Sequence, residues 1–365
     1  MADLPPTNPP PAGRPAADRR AFLRTAAWGG GIAGLGGLAG LAASRLSRRR
    51  AAPAGSRTPL GDEFTYDVSR FQASDPALVV CTELTRFPAG LDRPRNLAVD
   101  PAGAILVCGD GGIRKLGPTG EPRAEIRLES PVLTVAPRPD GGLLAGQQGR
   151  IAVLDAAGAQ TAAWTAFPDG LLPTAIAATP HGVFVADAKN RVVLRLDDQG
   201  ATQAVIGRRD PARGIAGFVV PSPYFCVRLA PDGLLRISNP GAHRIEAWTL
   251  DGTPEVGWGK ASFAVDGFCG CCNPVSFDVF PDGSFVTCEK GLPRVKLHNS
   301  HGEFTGLVAG PEAFPEYLHA ANAGTPEPRS AAICAAVDPQ GRIVVLDAVG
   351  ATIRIMTRRP DAGGK

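Results

Sequence analysis

The chemically distinctive part of the sequence is a cysteine cluster. Three of the eight cysteines, Cys269, Cys271 and Cys272, fall within four residues of the run Gly-Phe-Cys-Gly-Cys-Cys-Asn-Pro. Thiolates bind soft and borderline metals, so three sulfurs in one glycine-containing loop could hold Cu, Zn or an iron–sulfur cluster. Cys288 or His243 would supply a fourth ligand. The spacing matches no standard zinc motif, so no single metal is favoured.

Three other interpretations of the cluster stay open. One is a structural disulfide, which an oxidising compartment would allow. Adjacent cysteines have Cα atoms about 3.8 Å apart, below the usual disulfide range, so a bridge to a distant thiol such as Cys226 or Cys288 is easier. Another is a redox-active thiol pair. The last is packing of partly buried cysteines without further chemistry.

Three well-known functional motifs are absent from the sequence. It contains no Cys-x-x-Cys-His haem attachment site, no glycine-rich phosphate loop and no Gly-x-Ser-x-Gly nucleophile elbow. Whether the protein is an enzyme is therefore left open.

The elements that must position these residues come from a repeat. A Pro-x-Gly turn occurs six times, with spacings of 38, 41, 51, 50 and 58 residues between the glycines. The six turns start at Pro101, Pro139, Pro180, Pro231, Pro281 and Pro339. Short apolar runs flank each turn, which is typical of strands covered on both faces. Such a period with several strands per unit indicates a β-propeller.

A second glycine turn follows the first in five units and predicts four strands per unit. The sixth unit lacks this turn and is one strand short. The unassigned strand candidate is N-terminal, at residues 79–87, and we expect it to complete the last blade. The predicted fold is therefore all-β, a six-bladed propeller of four-stranded antiparallel blades closed by an N-terminal strand.

This topology predicts which face carries function. Long insertions at residues 208–224, 260–274 and 311–330 are links between blades, and they share one end of the propeller with the turns after each second strand. We expect a binding face there, because long loops on a rigid scaffold commonly carry function. Its candidate residues are Asp110, Asp187, Asn239, Glu289, Lys290, Asp347 and Asn273.

The unit at residues 172–200 resembles the NHL repeat. It contains Ala186-Asp187 at a strand end, followed by Asn190-Arg191 leading into the next strand. The resemblance implies a six-bladed propeller and says almost nothing about function. Some propellers similar to NHL proteins are lyases with metal-binding histidines in the central channel. The five histidines here assemble no such cluster in the sequence pattern.

The N-terminal segment resembles a twin-arginine export signal. Arg19-Arg20-Ala21-Phe22-Leu23-Arg24 follows the family pattern, although Asp18 stands where Ser or Thr is usual. An uncharged stretch at 25–44 follows, which could also remain as a membrane anchor. The predicted organisation is a disordered tail at 1–18, the signal or anchor at 19–54, a linker at 55–77, the propeller at 78–358 and a tail at 359–365.

Charge separates these regions. Residues 1–57 carry nine Arg and two Asp, whereas the remainder carries 29 basic and 33 acidic residues. A mildly acidic folded part argues against a nucleic-acid partner. We therefore expect an exported, monomeric binding module, periplasmic or anchored to the outer side of the cytoplasmic membrane, whose loop face takes a protein or small-molecule ligand. The alternative is a periplasmic metal-binding or redox protein centred on the cysteine loop.

Overall fold

Six four-stranded antiparallel sheets make up the folded part of the chain. The computed structural model describes residues 71–322 and 333–360. The predicted tail, the predicted signal, most of the linker and most of the C-terminal tail lie outside the described residues. Each sheet is one blade, and in five of the six blades the strands follow one another in chain order from the central axis outwards.

Blades 1 to 3 each contain four consecutive strands of the chain. Blade 1 contains β2 to β5 at Pro94–Val99, Ile105–Gly109, Gly112–Leu116 and Pro122–Arg127. Blade 2 contains β6 to β9 at Thr134–Pro137, Leu143–Gln147, Arg150–Leu154 and Gln160–Trp164. Blade 3 contains β10 to β13 at Pro173–Thr179, Gly182–Asp187, Val192–Leu196 and Thr202–Ile206.

Blades 4 and 5 are preceded by long links. Blade 4 contains β14 to β17 at Val227–Leu229, Leu235–Asn239, Arg244–Trp248 and Pro254–Trp258. Blade 5 contains β18 to β21 at Ser276–Val279, Phe285–Glu289, Arg294–His298 and Phe304–Ala309. Short 3-10 helices occur at Pro76–Leu78, Pro211–Arg213, Pro240–Ala242 and Pro311–Ala313, and α1 spans Pro315–Asn322.

Blade 6 closes the ring with strands from both ends of the propeller. It contains β22 to β24 at Ile333–Val337, Ile343–Asp347 and Thr352–Arg358, and its outer strand is β1 at Cys81–Pro88. The register pairs Cys81 with Arg358 and Pro88 with Thr352. The prediction of a six-bladed propeller closed by an N-terminal strand is confirmed.

The cores lie between neighbouring blades. Second strands such as β3 are buried along their whole length, whereas the outer strand β5 is mostly exposed. The second recurring turn has a packing role that explains its glycine. Gly200 has φ of +82°, and a Cβ there would lie 2.2 Å from the Trp164 ring of the preceding blade. Gly302 approaches Trp258 in the same way, so these glycines let each blade pack closely on the one before it.

Candidate functional site

The central axis opens into a cavity on the face that carries the long links. We call this cavity the upper cavity and this end of the axis the upper end. Its volume is about 710 Å³, and residues from all six blades line it. The apolar lining residues are Pro131, Leu133, Leu172, Pro223, Phe225, Val275 and Ile333. The polar and thiol lining residues are Arg95, Asn96, Ser130, Gln148, Thr174, Tyr224, Ser276 and Cys334. None of the five histidines is among the described residues that line it.

Two sets of polar contacts join the inner strands of different blades around the axis. In the upper set, Asn96 Nδ2 of blade 1 donates to the Thr174 carbonyl of blade 3 at 3.3 Å, and the Thr174 hydroxyl donates to the Phe225 carbonyl of blade 4 at 2.6 Å. In the lower set, Arg228 Nε contacts Asp278 Oδ1 at 3.1 Å, and Asp278 Oδ2 accepts from Val337 N. The Asn96 contact joins two non-adjacent blades, whereas the other three contacts join neighbouring blades.

A second cavity of about 610 Å³ lies at the opposite end of the axis. Five of the six Pro-x-Gly prolines line it, namely Pro101, Pro139, Pro231, Pro281 and Pro339. The strand positions of Arg228 and Asp278 fall between the residues lining the two cavities. The axis therefore carries two separate depressions, and the one among the long links has the more varied chemistry.

Arg95 is the only formally charged side chain among the described residues lining the upper cavity. Its Nε and Nη2 donate to Asp110 Oδ1 at 2.9 and 2.8 Å, and Arg93 Nη2 lies 2.7 Å from Asp110 Oδ2. One carboxylate thus pairs with two guanidinium groups, which leaves a net positive charge at this edge. Asp110, predicted as a binding residue, orients Arg95.

The predicted cysteine loop lies in the link between blades 4 and 5. Cys269 and Cys272 are buried, whereas Cys271 is exposed. The Sγ atoms of Cys271 and Cys272 are 3.7 Å apart. All eight cysteines of the chain are free thiols.

The structure separates the other predicted metal ligands from this loop. Cys288 lies on the side of β19 that faces blade 6, in the core cluster with Val286 and Val295, opposite to the neighbouring Glu289. His243 ends a 3-10 turn in blade 4 with φ of +56°. Within residues 71–322 and 333–360, no three His, Cys, Asp or Glu side chains converge to hold a metal ion. The metal site stays a prediction.

Buried charges hold the cysteine loop in place. Glu289 is fully buried and accepts from Cys269 N at 2.8 Å. Arg294 Nε and Lys296 Nζ lie 2.7 and 3.1 Å from Glu289 Oε2. The two cations also donate to the loop backbone, Arg294 to the Phe263 carbonyl at 3.1 Å and Lys296 to the Gly267 carbonyl at 2.6 Å. The cluster therefore fixes the loop through three backbone contacts.

Burial lowers the pKa of Lys296, with Glu289 opposing that shift. The Lys296 ammonium also lies 4.3 Å from the centroid of the Phe268 ring, which gives it a second favourable partner. Lys296 was missed as a site residue. The available signal was the alternation of Arg294, Lys296 and His298 along one strand, which places three polar side chains on one face of the blade.

Asn273 completes the attachment. Its Nδ2 donates to the carbonyls of Cys269 and Lys290 at 2.7 and 2.9 Å, and its Oδ1 accepts from Lys290 N at 2.9 Å. Asn273 is buried. It ties the end of the loop to the turn after β19.

The loop adjoins the wall of the upper cavity. Lys290 Nζ lies 4.8 Å from the centroid of the Tyr224 ring, and Tyr224 lines the cavity. Burial raises the pKa of the Cys272 thiol, and the neighbouring Ser222 hydroxyl and Lys290 ammonium oppose that rise. Tyr224 N donates to the Ser222 carbonyl at 2.7 Å. Cys272 is therefore next to the residues that precede and support Tyr224.

The remaining predicted binding residues bond to the protein's own backbone. Asp187 accepts from Leu172 N and Lys189 N, and Asn239 accepts from Val219 N. Asp347 accepts from Val349 N and Gly350 N, and burial raises its pKa. All three are buried. The predicted polar ring thus supports the turns and links of this face, while ligand binding by the face stays a prediction.

No protein-family model and no curated protein matches the chain. Solved structures resemble it at low identity. A streptogramin B lyase structure has 12% identity and a TM-score of 0.49, covering 75% of this chain and 97% of that one. Virginiamycin B lyase from Staphylococcus aureus has 12% identity and a TM-score of 0.47, covering 75% and 99%. A protein of unknown function from Bacteroides thetaiotaomicron has 14% identity and a TM-score of 0.53, covering 76% and 72%.

At 14% identity and a TM-score of 0.53, the likeness to the Bacteroides thetaiotaomicron protein bears on the fold alone. The six-bladed propeller follows from the six four-stranded sheets. Among the described residues, the structure contains no helix that is long and apolar enough to cross a bilayer. The predicted signal or anchor at 19–54 lies outside those residues.

Proposed function

We propose that this propeller is a binding module that takes a small neutral or anionic ligand with an apolar body in the upper cavity. The observation that carries the proposal is the cavity itself. Its volume of about 710 Å³ falls within the range of small-molecule sites, about 300 to 1,000 Å³. Apolar walls with a few convergent polar groups are the usual composition of such sites.

The charge of the lining supports the ligand class. Arg95 supplies a cation, and no carboxylate lies among the described lining residues. An anionic group near Arg95 would gain a charge-assisted hydrogen bond, while a ligand cation would meet unfavourable charge. Asn96, Thr174 and Ser276 come from three different blades and offer polar groups at separate points of the cavity wall.

The test uses naphthoate as the probe and naphthylmethylamine as its cationic match. Ser276→Trp fills the upper cavity, and Val279→Trp fills the lower one from the same strand. We expect naphthoate binding, followed by calorimetry, to be lost in Ser276→Trp and kept in Val279→Trp. Leu133→Trp is a second filling variant in case the first fails to fold.

Two results would contradict the proposal. Equal naphthoate affinity in Ser276→Trp and the parent would place binding outside the cavity. Tighter binding of the amine would contradict the ligand class. We also expect Arg95→Met to weaken naphthoate binding by roughly tenfold, because a hydrogen bond to a charged group contributes about 1.5 kcal/mol or more.

Export of an NHL-type propeller is part of the same proposal. The support is the Asp187-to-Arg191 turn in blade 3 and the Arg19-Arg20 pair at the N-terminus. Replacing both arginines by lysine should keep the protein in the cytoplasm of a host that has the twin-arginine route, as measured by fractionation. Unchanged export would contradict the signal, and carbonate extraction of the exported form would separate an anchored protein from a released one.

A further inference from the structure

We infer that Cys271 and Cys272 form a thiol–disulfide modification site whose oxidation state controls the wall of the upper cavity. The partner chemistry is a disulfide-bearing oxidant, either a small molecule or a protein. The control of ligand access rests on the function proposed above, whereas the modification site stands independently of it.

The two thiols differ in the way that such a site requires. Cys271 is exposed, so an oxidant in solution can reach it. Cys272 is buried, and its Sγ lies 3.7 Å from that of Cys271. A disulfide needs an S–S distance of about 2.05 Å, so a small local movement brings the second sulfur within bonding range. The exposed thiol reacts first and the buried thiol resolves.

The position of Cys272 favours its role as the resolving thiol. Cys271 is the one exposed cysteine, and the other seven are buried, so a mixed disulfide with an oxidant in solution forms at Cys271 first. The buried Cys272 Sγ lies beside it, at 3.7 Å, and is therefore placed to attack that mixed disulfide.

The chemistry proceeds in two exchanges. The Cys271 thiolate attacks one sulfur of the oxidant, forming a mixed disulfide and releasing one thiolate. The Cys272 thiolate then attacks Cys271 Sγ, forming the Cys271–Cys272 bond and releasing the second thiolate. Two protein thiols are oxidised, one oxidant disulfide is reduced to two thiols, and the two protein protons pass to the released thiolates.

The fold confines the backbone rearrangement to three residues. Cys269 N is held by Glu289, and Asn273 is held by three hydrogen bonds to Cys269 and Lys290. Between these fixed points lie residues 270–272. Gly270 has φ of +71°, in the left-handed region that glycine adopts without strain, so it can absorb backbone rotation.

The change then passes to the cavity wall. Cys272 adjoins Ser222 and Lys290, the Ser222 carbonyl accepts from Tyr224 N, and Lys290 packs on the Tyr224 ring. Moving the Cys272 sulfur towards Cys271 changes its position relative to Ser222 and Lys290. Tyr224 lines the cavity, so its position is the link between the dithiol and the ligand.

A closed ring of two adjacent cysteines is expected to be readily reduced. The Cα atoms of neighbouring residues are about 3.8 Å apart, which is below the usual disulfide range, and strained disulfides have more oxidising potentials. The site is therefore reversible, as regulation requires, and differs from a permanent structural bridge.

The experiment uses the full chain, reduced and freed of metals with a chelator, and oxidised glutathione as the probe. Peptide mapping should show loss of two hydrogens in the parent peptide that contains Cys271 and Cys272, reversed by dithiothreitol. Cys272→Ser should retain a glutathione adduct on Cys271. Cys271→Ser should react at the remaining Cys272 at least about tenfold more slowly, because only the buried thiol is left. Cys269→Ser is the matched control and should oxidise as the parent does.

Amide hydrogen exchange tests whether oxidation of the two thiols changes the cavity wall. Oxidation should raise amide exchange in the peptide spanning residues 219–226 by roughly tenfold, with no such change in Cys271→Ser. Both thiols remaining free, or a bridge to any other cysteine, would overturn the modification site. Oxidation without a change at 219–226 would overturn its control of the cavity. Oxidation and altered exchange without naphthoate binding would support the dithiol and contradict only the proposed function.

Discussion

Blades 3 and 5 present different chemistry on strands that have the same register. In blade 3, Asp187 pairs with Val192, and the following inward positions are Leu194 and Leu196. In blade 5, Glu289 pairs with Arg294, and the corresponding positions are Lys296 and His298. All eight positions are buried, and five of them carry polar or charged side chains. The difference between the two blades therefore cannot be explained by solvent exposure.

The links that precede the two blades account for the difference. Residues 165–172 form a short link to blade 3. Asp187 holds the end of this link by accepting one hydrogen bond from Leu172 N. Residues 259–275 form a long link to blade 5, and it brings extra backbone groups into the interior. Glu289, Arg294 and Lys296 bond to Cys269 N and to the carbonyls of Phe263 and Gly267. Of these two blades, the one with the longer link is the one that holds its link with buried charge.

The largest expected effect comes from removing the carboxylate of blade 5. Glu289→Gln leaves Arg294 and Lys296 buried without their counter-charge, so we expect a loss of about 3 to 5 kcal/mol in the free energy of unfolding. Denaturant titration measures this loss.

Asp187→Asn in blade 3 is the matched control. Its carboxylate accepts only from N–H groups of the backbone and Asn190, with no cation to strand, so a loss of about 1 to 2 kcal/mol is expected. Equal losses of unfolding free energy in the two variants would contradict the prediction that Arg294 and Lys296 depend on Glu289 as their counter-charge.

The next effect is a dependence on pH that blade 3 lacks. Burial lowers the pKa of His298 to about 3, with the Lys296 charge acting in the same direction. Below pH 6.5 the unfolded chain takes up a proton at this position and the folded chain does not. Stability is therefore lost as pH falls from 6.5 towards 3, by about 1.4 kcal/mol per pH unit.

His298→Gln removes this titration. Comparing unfolding free energies at pH 7 and pH 4.5, we expect the variant to lose roughly 2 to 3 kcal/mol less than the parent does. Leu196→Gln in blade 3 introduces the same residue at the corresponding position and should leave the pH dependence of the parent unchanged. A parallel pH dependence in His298→Gln and the parent would contradict burial of a neutral imidazole.

The smallest effect tests how the long link is attached. Arg294 contacts the carbonyl of Phe263, whereas the Phe263 ring is partly exposed and stacks on Phe71 with centroids 5.7 Å apart. Phe263→Ala should therefore cost about 1 kcal/mol or less, the contribution of one aromatic pair. A loss as large as that in Glu289→Gln would mean that side-chain packing, and not the buried charges, holds the link.

Much of the fold follows from the sequence because its signals are local and repeated. The Pro-x-Gly turns and the second glycine turn fix four strands per unit, and the missing turn of the last unit leads to β1. The long links at 208–224 and 260–274 were placed on the correct face for the same reason. The helix α1 was not predicted, because it forms one short element inside a link.

The geometry of the candidate site could not be predicted, because it depends on contacts between residues that are far apart in the sequence. The cavity is formed by the first residues of six inner strands, each unremarkable in its own unit. The predicted polar ring was located at the right turns, but residues such as Asp187 and Asn239 turn inwards to their own links. Whether a side chain at a strand end faces solvent or a neighbouring backbone depends on the path of the link, which sequence spacing alone does not give.

Closure by β1 has a consequence for synthesis. Cys81 pairs with Arg358, so the ribosome makes the two partners of the final blade near the beginning and the end of the propeller. Blades 1 to 5 can assemble in order during translation, because each is built from consecutive residues. The last sheet cannot form until β24 has been synthesised. A chain truncated before that strand would leave β1 unpaired and the outer edge of β23 uncovered.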